Sequence, residues 1–197
     1  SYLNTLELEP GNAYAKKGLA WIAYSHERNP EEAIRILDSI QVSHISPDYH
    51  LLKAEIYEFA GEEQKHKEEL EAYWTAVQEP GYGDMYNAYN ITYLAEVKED
   101  FDAAIALAEA EVENRANPET YDLLAYAHYL AGNNEKALEL IENHVINKTF
   151  EPDALFHAAL IYKANGKLEK VETLKNEELL GTAYEMGPVT YEQIKSL

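Results

Sequence analysis

The stretch Asn117–Ala137, NPETYDLLAYAHYLAGNNEKA, contains the start of one helix, its end and the start of the next. Asn117 has a cap-forming side chain, Pro118 suits a first helical position where its missing N–H goes unneeded, and Glu119 favours the positive end of the helix dipole. Tyr121, Leu124, Ala125 and His128 recur at helical spacing on one face. Gly132 follows as the residue best able to end the helix in a left-handed conformation. The pattern predicts a second helix from about Asn134 that turns Ala137, Leu138 and Ile141 inward. Leu124→Ala is expected to cost roughly 2–5 kcal/mol if this register is right.

The surrounding composition is that of a folded chain, with 46% apolar residues among 197. Thirty-six acidic against 16 basic residues give a formal charge of −20, which repels nucleic acid phosphates and anionic lipid headgroups. Nucleic acid is therefore not an expected partner. No run approaches the length of an apolar membrane span, and no basic start leads into a short apolar core, so neither membrane insertion nor a signal peptide is expected in this segment. With no cysteine, there is no disulfide framework, thiolate nucleophile or thiolate metal site. An acidic chain without cysteine fits the cytoplasm and the bacterial cell envelope alike, so the sequence does not specify localisation.

Outward from Asn117, the same alternation recurs less cleanly. Residues 1–10, with Tyr2, Leu3 and Leu6 on one side and Pro10 behind them, read as the end of a preceding repeat, or else as a short capping helix. Helical pairs are expected over 12–46, 47–79, 85–116, 117–150 and 151–181. Asn29-Pro30-Glu31 and Ser46-Pro47 restart the chain as Asn117-Pro118-Glu119 does. The interval Gln78–Met85, QEPGYGDM, cannot comfortably continue a helix and is the main interruption. At the end, Thr190 and Gln193 stand at capping-box spacing and predict a terminal helix over 188–197.

The turns align at Arg28, Gly61, Glu99, Gly132 and Gly166, separated by 33, 38, 33 and 34 residues. The one long interval contains the Gly-Pro-rich loop. A bulky residue, a leucine, a small residue, a ring, a turn glycine, a small residue and a large apolar one, repeated near 34 residues, resembles the tetratricopeptide repeat. The match is strong in the fourth repeat, fair in the first, second and fifth, and poor in the third, where Glu99 replaces the glycine. A Sel1-type solenoid would need longer glycine-rich spacings. Trp21 and His66 stand where the family keeps a small residue. Val171 and Lys175 also depart from its pattern, as a final repeat with no neighbour beyond it can.

The resemblance implies an all-α, right-handed superhelical solenoid of antiparallel helix pairs. It has about five repeats, an N-terminal half repeat and a C-terminal capping helix, in one domain over 1–197. In that family the first helix of each pair lines the concave face. The residues so placed are Glu55, Glu58 and Phe59 from the second repeat, and Tyr86, Tyr89, Asn90 and Tyr93 from the third. The fourth contributes Asp122, Tyr126 and Tyr129 and the fifth Phe156, with Leu51, Glu119, Leu160 and Lys163 on the same faces. Together they describe an aromatic, acidic groove. A tyrosine ring gives broad apolar contact at small entropy cost and keeps a hydroxyl for hydrogen bonding. Tyrosine also fills core positions, the role expected of Tyr24, Tyr57 and Tyr162. Chaperone-binding members grip an acidic C-terminus with lysine, asparagine and arginine; the matching positions here include Gly18, Ile22, Glu55 and Asp122, and only Asn90 resembles a clamp residue. A non-clamp member is implied.

No enzyme motif accompanies this pattern. The seven histidines form no HExxH, and GxSxG, phosphate-loop and calcium-loop patterns are absent. His128 replaces a core aromatic and reads as packing. Glu62-Glu63 and Glu68-Glu69 read as solvated helix faces. Asn90-Ile91-Thr92 and Asn147-Lys148-Thr149 match glycosylation acceptors but lie in or beside helices. No catalytic residue, metal ligand or cofactor is expected. The sequence therefore predicts a non-catalytic scaffold binding a basic or apolar segment of a protein partner. The alternative is a structural spacer or a module that self-associates through exposed repeat ends.

Overall fold

Asparagine and aspartate side chains start four of the helices. Asn12, Asn29, Asp100 and Asn117 each accept a hydrogen bond from the amide three residues on, at 2.9, 3.1, 3.2 and 2.8 Å. Each such cap contributes about 1 kcal/mol by satisfying an amide that has no partner in the helix itself. At Asn117 the bond is returned, since Thr120 Oγ1 accepts from the Asn117 N–H at 3.2 Å.

The computed structural model describes residues 1–197, and all of its regular structure is helical. In chain order the helices are α1 (Tyr2–Leu8), α2 (Ala13–Ser25), α3 (Pro30–Gln41), α4 (Asp48–Phe59) and α5 (Glu63–Val77). After a 3₁₀ turn at Gly83–Tyr86 come α6 (Asn87–Glu96), α7 (Phe101–Asn114), α8 (Pro118–Leu130), α9 (Asn134–His144), α10 (Pro152–Ala164) and α11 (Leu168–Leu174). A π segment at Lys175–Leu179, the single turn α12 (Leu180–Thr182), a 3₁₀ turn at Ala183–Met186 and α13 (Gly187–Lys195) complete the chain. Helices α2 and α3, α4 and α5, α6 and α7, α8 and α9, and α10 and α11 pack as antiparallel pairs.

The five aligned turn residues share one conformation. Arg28, Gly61, Glu99, Gly132 and Gly166 have φ of 55°, 73°, 52°, 82° and 71°. At Gly132 the turn closes as a Schellman motif, in which the Asn133 N–H donates to the His128 carbonyl at 2.9 Å. Arg28 and Glu99 adopt the same backbone despite carrying a Cβ.

The chain divides into two compact units. The first comprises Ser1–Tyr82 and Gly187–Val189. Its core joins Ala20 and Tyr24 on α2, Ala33, Leu37 and Ile40 on α3, and Tyr49, Leu52 and Ile56 on α4. The second comprises Gly83–Met186 and Thr190–Leu197. Its main core joins Ile91, Ala104, Leu124, Ala125, Ala137, Ile141, Val145 and Ile161. A smaller cluster seats Ile194 against Phe156, Ala159 and Leu179.

Small residues fall where helices approach closely, since Ala33, Ala104 and Ala137 are fully buried at equivalent places in the first, third and fourth repeats. His66 occupies the same place in the second repeat and is accommodated by a hydrogen bond, its Nδ1 lying 2.9 Å from the Ala54 carbonyl oxygen. Trp21 stays half-buried and meets Tyr24 edge-on, with ring centroids 5.6 Å apart. At the C-terminus the capping box expected at Thr190 does not form. Pro188 at the first turn starts α13 at Gly187, so Thr190 falls inside the helix and no side chain caps its start.

Candidate functional site

In the second unit the first helices of consecutive pairs, α6, α8 and α10, lie side by side. Each can therefore address the next through residues about one repeat apart. Asp122 on α8 accepts a hydrogen bond from His157 on α10, with Oδ2 to Nδ1 at 2.9 Å. Tyr126, one helical turn beyond Asp122, stacks on the same imidazole at 3.8 Å between centroids and 8° between planes. Its hydroxyl donates to Glu96 Oε1 on α6 at 2.6 Å. Tyr129 lies beside Tyr126 at 6.0 Å. A continuous lattice of aromatic and charged side chains thus links three helices.

Electrostatics follows from this crowding. Burial alone would lower the His157 pKa. The Asp122 carboxylate, through charge and hydrogen bond, and the charges of Asp153 and Glu96 outweigh it and raise the imidazole above its ordinary value. Asp153 is exposed at its edge, but neighbouring protein partly screens its carboxyl from water and pushes its pKa up; the His157 charge opposes this, and the Asp122 charge adds a smaller rise. The Tyr126 hydroxyl is raised first by burial and then by Glu96. Asp122 Oδ1 is buried with no hydrogen-bond partner.

The first unit repeats part of this arrangement. Tyr24 on α2 donates to Glu55 Oε1 on α4 at 2.8 Å. Phe59 meets the Tyr24 ring edge-on at 5.6 Å. Gly187 fits closely here, since a Cβ at that residue would lie 2.2 Å from Glu55 Oε1 and 3.3 Å from the Trp21 ring.

Of the residues singled out by the sequence, Glu55, Glu58 and Phe59 belong to the first unit and the other eight to the second. Tyr86, Tyr93, Asp122, Tyr126 and Phe156 are buried. Glu55, Asn90 and Tyr129 are half-buried, and Glu58, Phe59 and Tyr89 are exposed, Tyr89 at 53%. The structure brings Asp122, Tyr126 and Tyr129 together and adds Glu96, Asp153 and His157, which the sequence reading left out. Their signal was present in the spacing. His157 follows Asp122 by 35 residues, Glu96 precedes Tyr126 by 30, and Glu55 follows Tyr24 by 31. Of the expected core tyrosines, Tyr24 and Tyr162 are buried and Tyr57 is half-buried.

No helix is long and apolar enough to cross a membrane. No protein-family model matches the chain, and no curated protein sequence matches it. Among solved structures, the fold is similar to that of PilW, a widely conserved type IV pilus biogenesis factor. The TM-score is 0.56 at 13% identity, covering 89% of this chain and 79% of PilW. It is also similar to a putative kinesin light chain of Podosopora anserina with nearly identical TPR-like repeats, at TM-score 0.51 and 19% identity, covering 86% of this chain and 97% of that one. YrrB, a TPR protein with an unusual peptide-binding site, is more distant at TM-score 0.46 and 16% identity, covering 100% and 98%. The fold is thus a helical repeat of the tetratricopeptide type.

Proposed function

We propose that the chain is a non-catalytic scaffold whose first-helix faces bind a segment of a protein partner. The observation that carries this reading is the lattice on α6, α8 and α10. Its inner members, Asp122, Tyr126 and His157, are fixed by one another, while Tyr89, Tyr129, Glu96 and Asp153 on the same helices retain access to solvent. A rigid base under accessible rings and carboxylates lowers the entropy lost when a ligand is held. The experiment is selection of random peptides on the full chain, followed by affinity measurement on Tyr89→Ala and Tyr129→Ala. Loss of binding in either variant is expected. Selected peptides that bind wild type and both variants equally would overturn the assignment of the face.

A second reading, self-association, has its own observation. Leu3, Leu8 and Tyr14 on the paired helices α1 and α2 are 62%, 89% and 76% exposed. Light scattering across a concentration series tests it, and a mass fixed at one chain would remove it.

A further inference from the structure

We infer that the face formed by Glu96, Asp122, Tyr126, Tyr129, Asp153 and His157 is a receptor for one arginine side chain of the partner segment. The inference rests on the scaffold reading and specifies the chemistry of its ligand.

Charge points to a cation. Asp122 bonds the His157 imidazole, Asp153 stands one turn before His157 on α10, and Glu96 holds the hydroxyl of the Tyr126 ring stacked on it, while no lysine or arginine of the chain forms an ion pair with any of the three carboxylates. Even with His157 protonated, ionised Glu96, Asp122 and Asp153 leave two negative charges in excess. Asp122 is 4% exposed, and one of its oxygens is bonded to His157 while the other has no hydrogen-bond donor. A buried carboxylate oxygen without a donor is costly, and a cation settling beside it offsets that cost electrostatically.

Geometry selects the kind of cation. No three acidic or histidine side chains converge on a point that could hold a metal ion. The carboxylates are spread over α6, α8 and α10 and call for a ligand of comparable spread. A guanidinium is planar, carries five donors and stacks on aromatic faces, whereas an ammonium is a compact, strongly hydrated point charge. Tyr126 already presents the matching stack with a planar nitrogen ring, His157 at 3.8 Å. Tyr129, half-buried next to it, offers the adjoining ring to a ligand, and Glu96 and Asp153 offer carboxylates that solvent reaches. Asp122 acts from beneath as a positioning residue held by His157.

The test is titration of the isotope-labelled full chain with N-acetyl-arginine amide, followed by backbone amide shifts. N-acetyl-citrulline amide serves as the neutral isostere and N-acetyl-lysine amide as the point charge. Saturable shifts confined to amides around Glu96, Tyr126, Tyr129 and His157 are expected with arginine, weaker ones with lysine and none with citrulline. Glu96→Gln and Asp153→Asn should each weaken the arginine response at least about fivefold, the loss of one charge-assisted contact. Glu135→Gln, on the remote start of α9, should leave it unchanged. Equal responses to arginine and citrulline, shifts spread over all acidic helices, or indifference to both pocket variants would each overturn the inference. If peptides selected on the chain need Tyr89 or Tyr129 but keep their affinity when arginine is replaced by citrulline, the arginine receptor fails and the scaffold reading stands. If the amino-acid amide binds as expected while no selected peptide depends on either tyrosine, the scaffold reading fails instead.

Discussion

The imidazole of His157 lies flat on the ring of Tyr126, 3.8 Å away, while its Nδ1 donates to Asp122 Oδ2 at 2.9 Å. One side chain on α10 is therefore fixed twice from α8, by a stack and by a hydrogen bond. Because Tyr126 also reaches Glu96 on α6, three repeats are joined by polar contacts as well as by the apolar core. In an array stabilised by nearest-neighbour interfaces, a contact of this kind belongs to the interface rather than to either repeat.

Replacement of His157 by alanine removes both contacts and leaves the Asp122 carboxylate buried without its cationic partner. Breaking a buried ion pair in this way costs about 3–5 kcal/mol, and chemical denaturation should show a loss of that order. The pH dependence has a definite sign. The folded chain holds the His157 proton more tightly than the unfolded chain does, so the stability it contributes is complete below about pH 6.5 and is lost as pH rises through the higher folded value. The His157→Ala penalty should accordingly be larger in mildly acidic than in alkaline buffer. A penalty below about 1 kcal/mol, within the range of exposed pairs, would show that the pair is too hydrated to matter.

Asp153 has the same sign of pH dependence in a lower window. Its pKa is raised, first by the partial screening of its carboxyl from water and then by the Asp122 charge, which together outweigh the lowering by His157, so ionising it costs the folded state more than the unfolded one. The stability linked to its proton is present below the unfolded value near 3.8 and is lost as pH climbs through the folded value. Asparagine does not ionise. Relative to wild type, Asp153→Asn should therefore gain stability as pH rises from about 4 to 7. Thermal melts at several pH values check this, and a difference independent of pH would contradict it.

Glu99 occupies a left-handed turn, φ 52°, where three of the four equivalent residues are glycine. A residue with a Cβ is penalised there by roughly 1–2 kcal/mol, so Glu99→Gly should stabilise the chain by about 1 kcal/mol after the entropy that glycine loses on folding. Glu99 is exposed and forms no ion pair that would be lost with the side chain. An unchanged denaturation midpoint would show that the turn relaxes freely.

The helices and turns were legible because they depend on local rules. Asn117 caps because its side chain reaches the Thr120 amide, and spacing alone puts Arg28 and Glu99 in register with the three glycines whose conformation they share. The face was legible only in part. Helical spacing places Asp122, Tyr126 and Tyr129 together, but whether Tyr93 or Tyr126 is buried depends on the neighbouring repeat, which no single-helix pattern contains. His157 carries no local signal of its role because its partner lies 35 residues away. Comparing residues one period apart would have paired it with Asp122. The two units could not be distinguished from composition, since Gln78–Met85 reads equally well as an insertion within one array.

Gly18, inside α2, sets two effects against each other. A Cβ there would lie 2.3 Å from the Tyr2 ring, so Gly18→Ala must displace the side chain that seats α1. Yet alanine within a helix is favoured over glycine by about 1 kcal/mol. Helix α1 has seven residues, none of them buried, and Tyr2 is near the chain end, so the contact has little to oppose that gain. The variant should release α1 while leaving the rest of the first unit equally or more stable. Hydrogen exchange separates the two effects: faster exchange is expected for the α1 amides alone, with the protection of α2 to α4 kept or increased. If α2 to α4 lost protection together with α1, the Tyr2 contact would be holding the first unit as a whole.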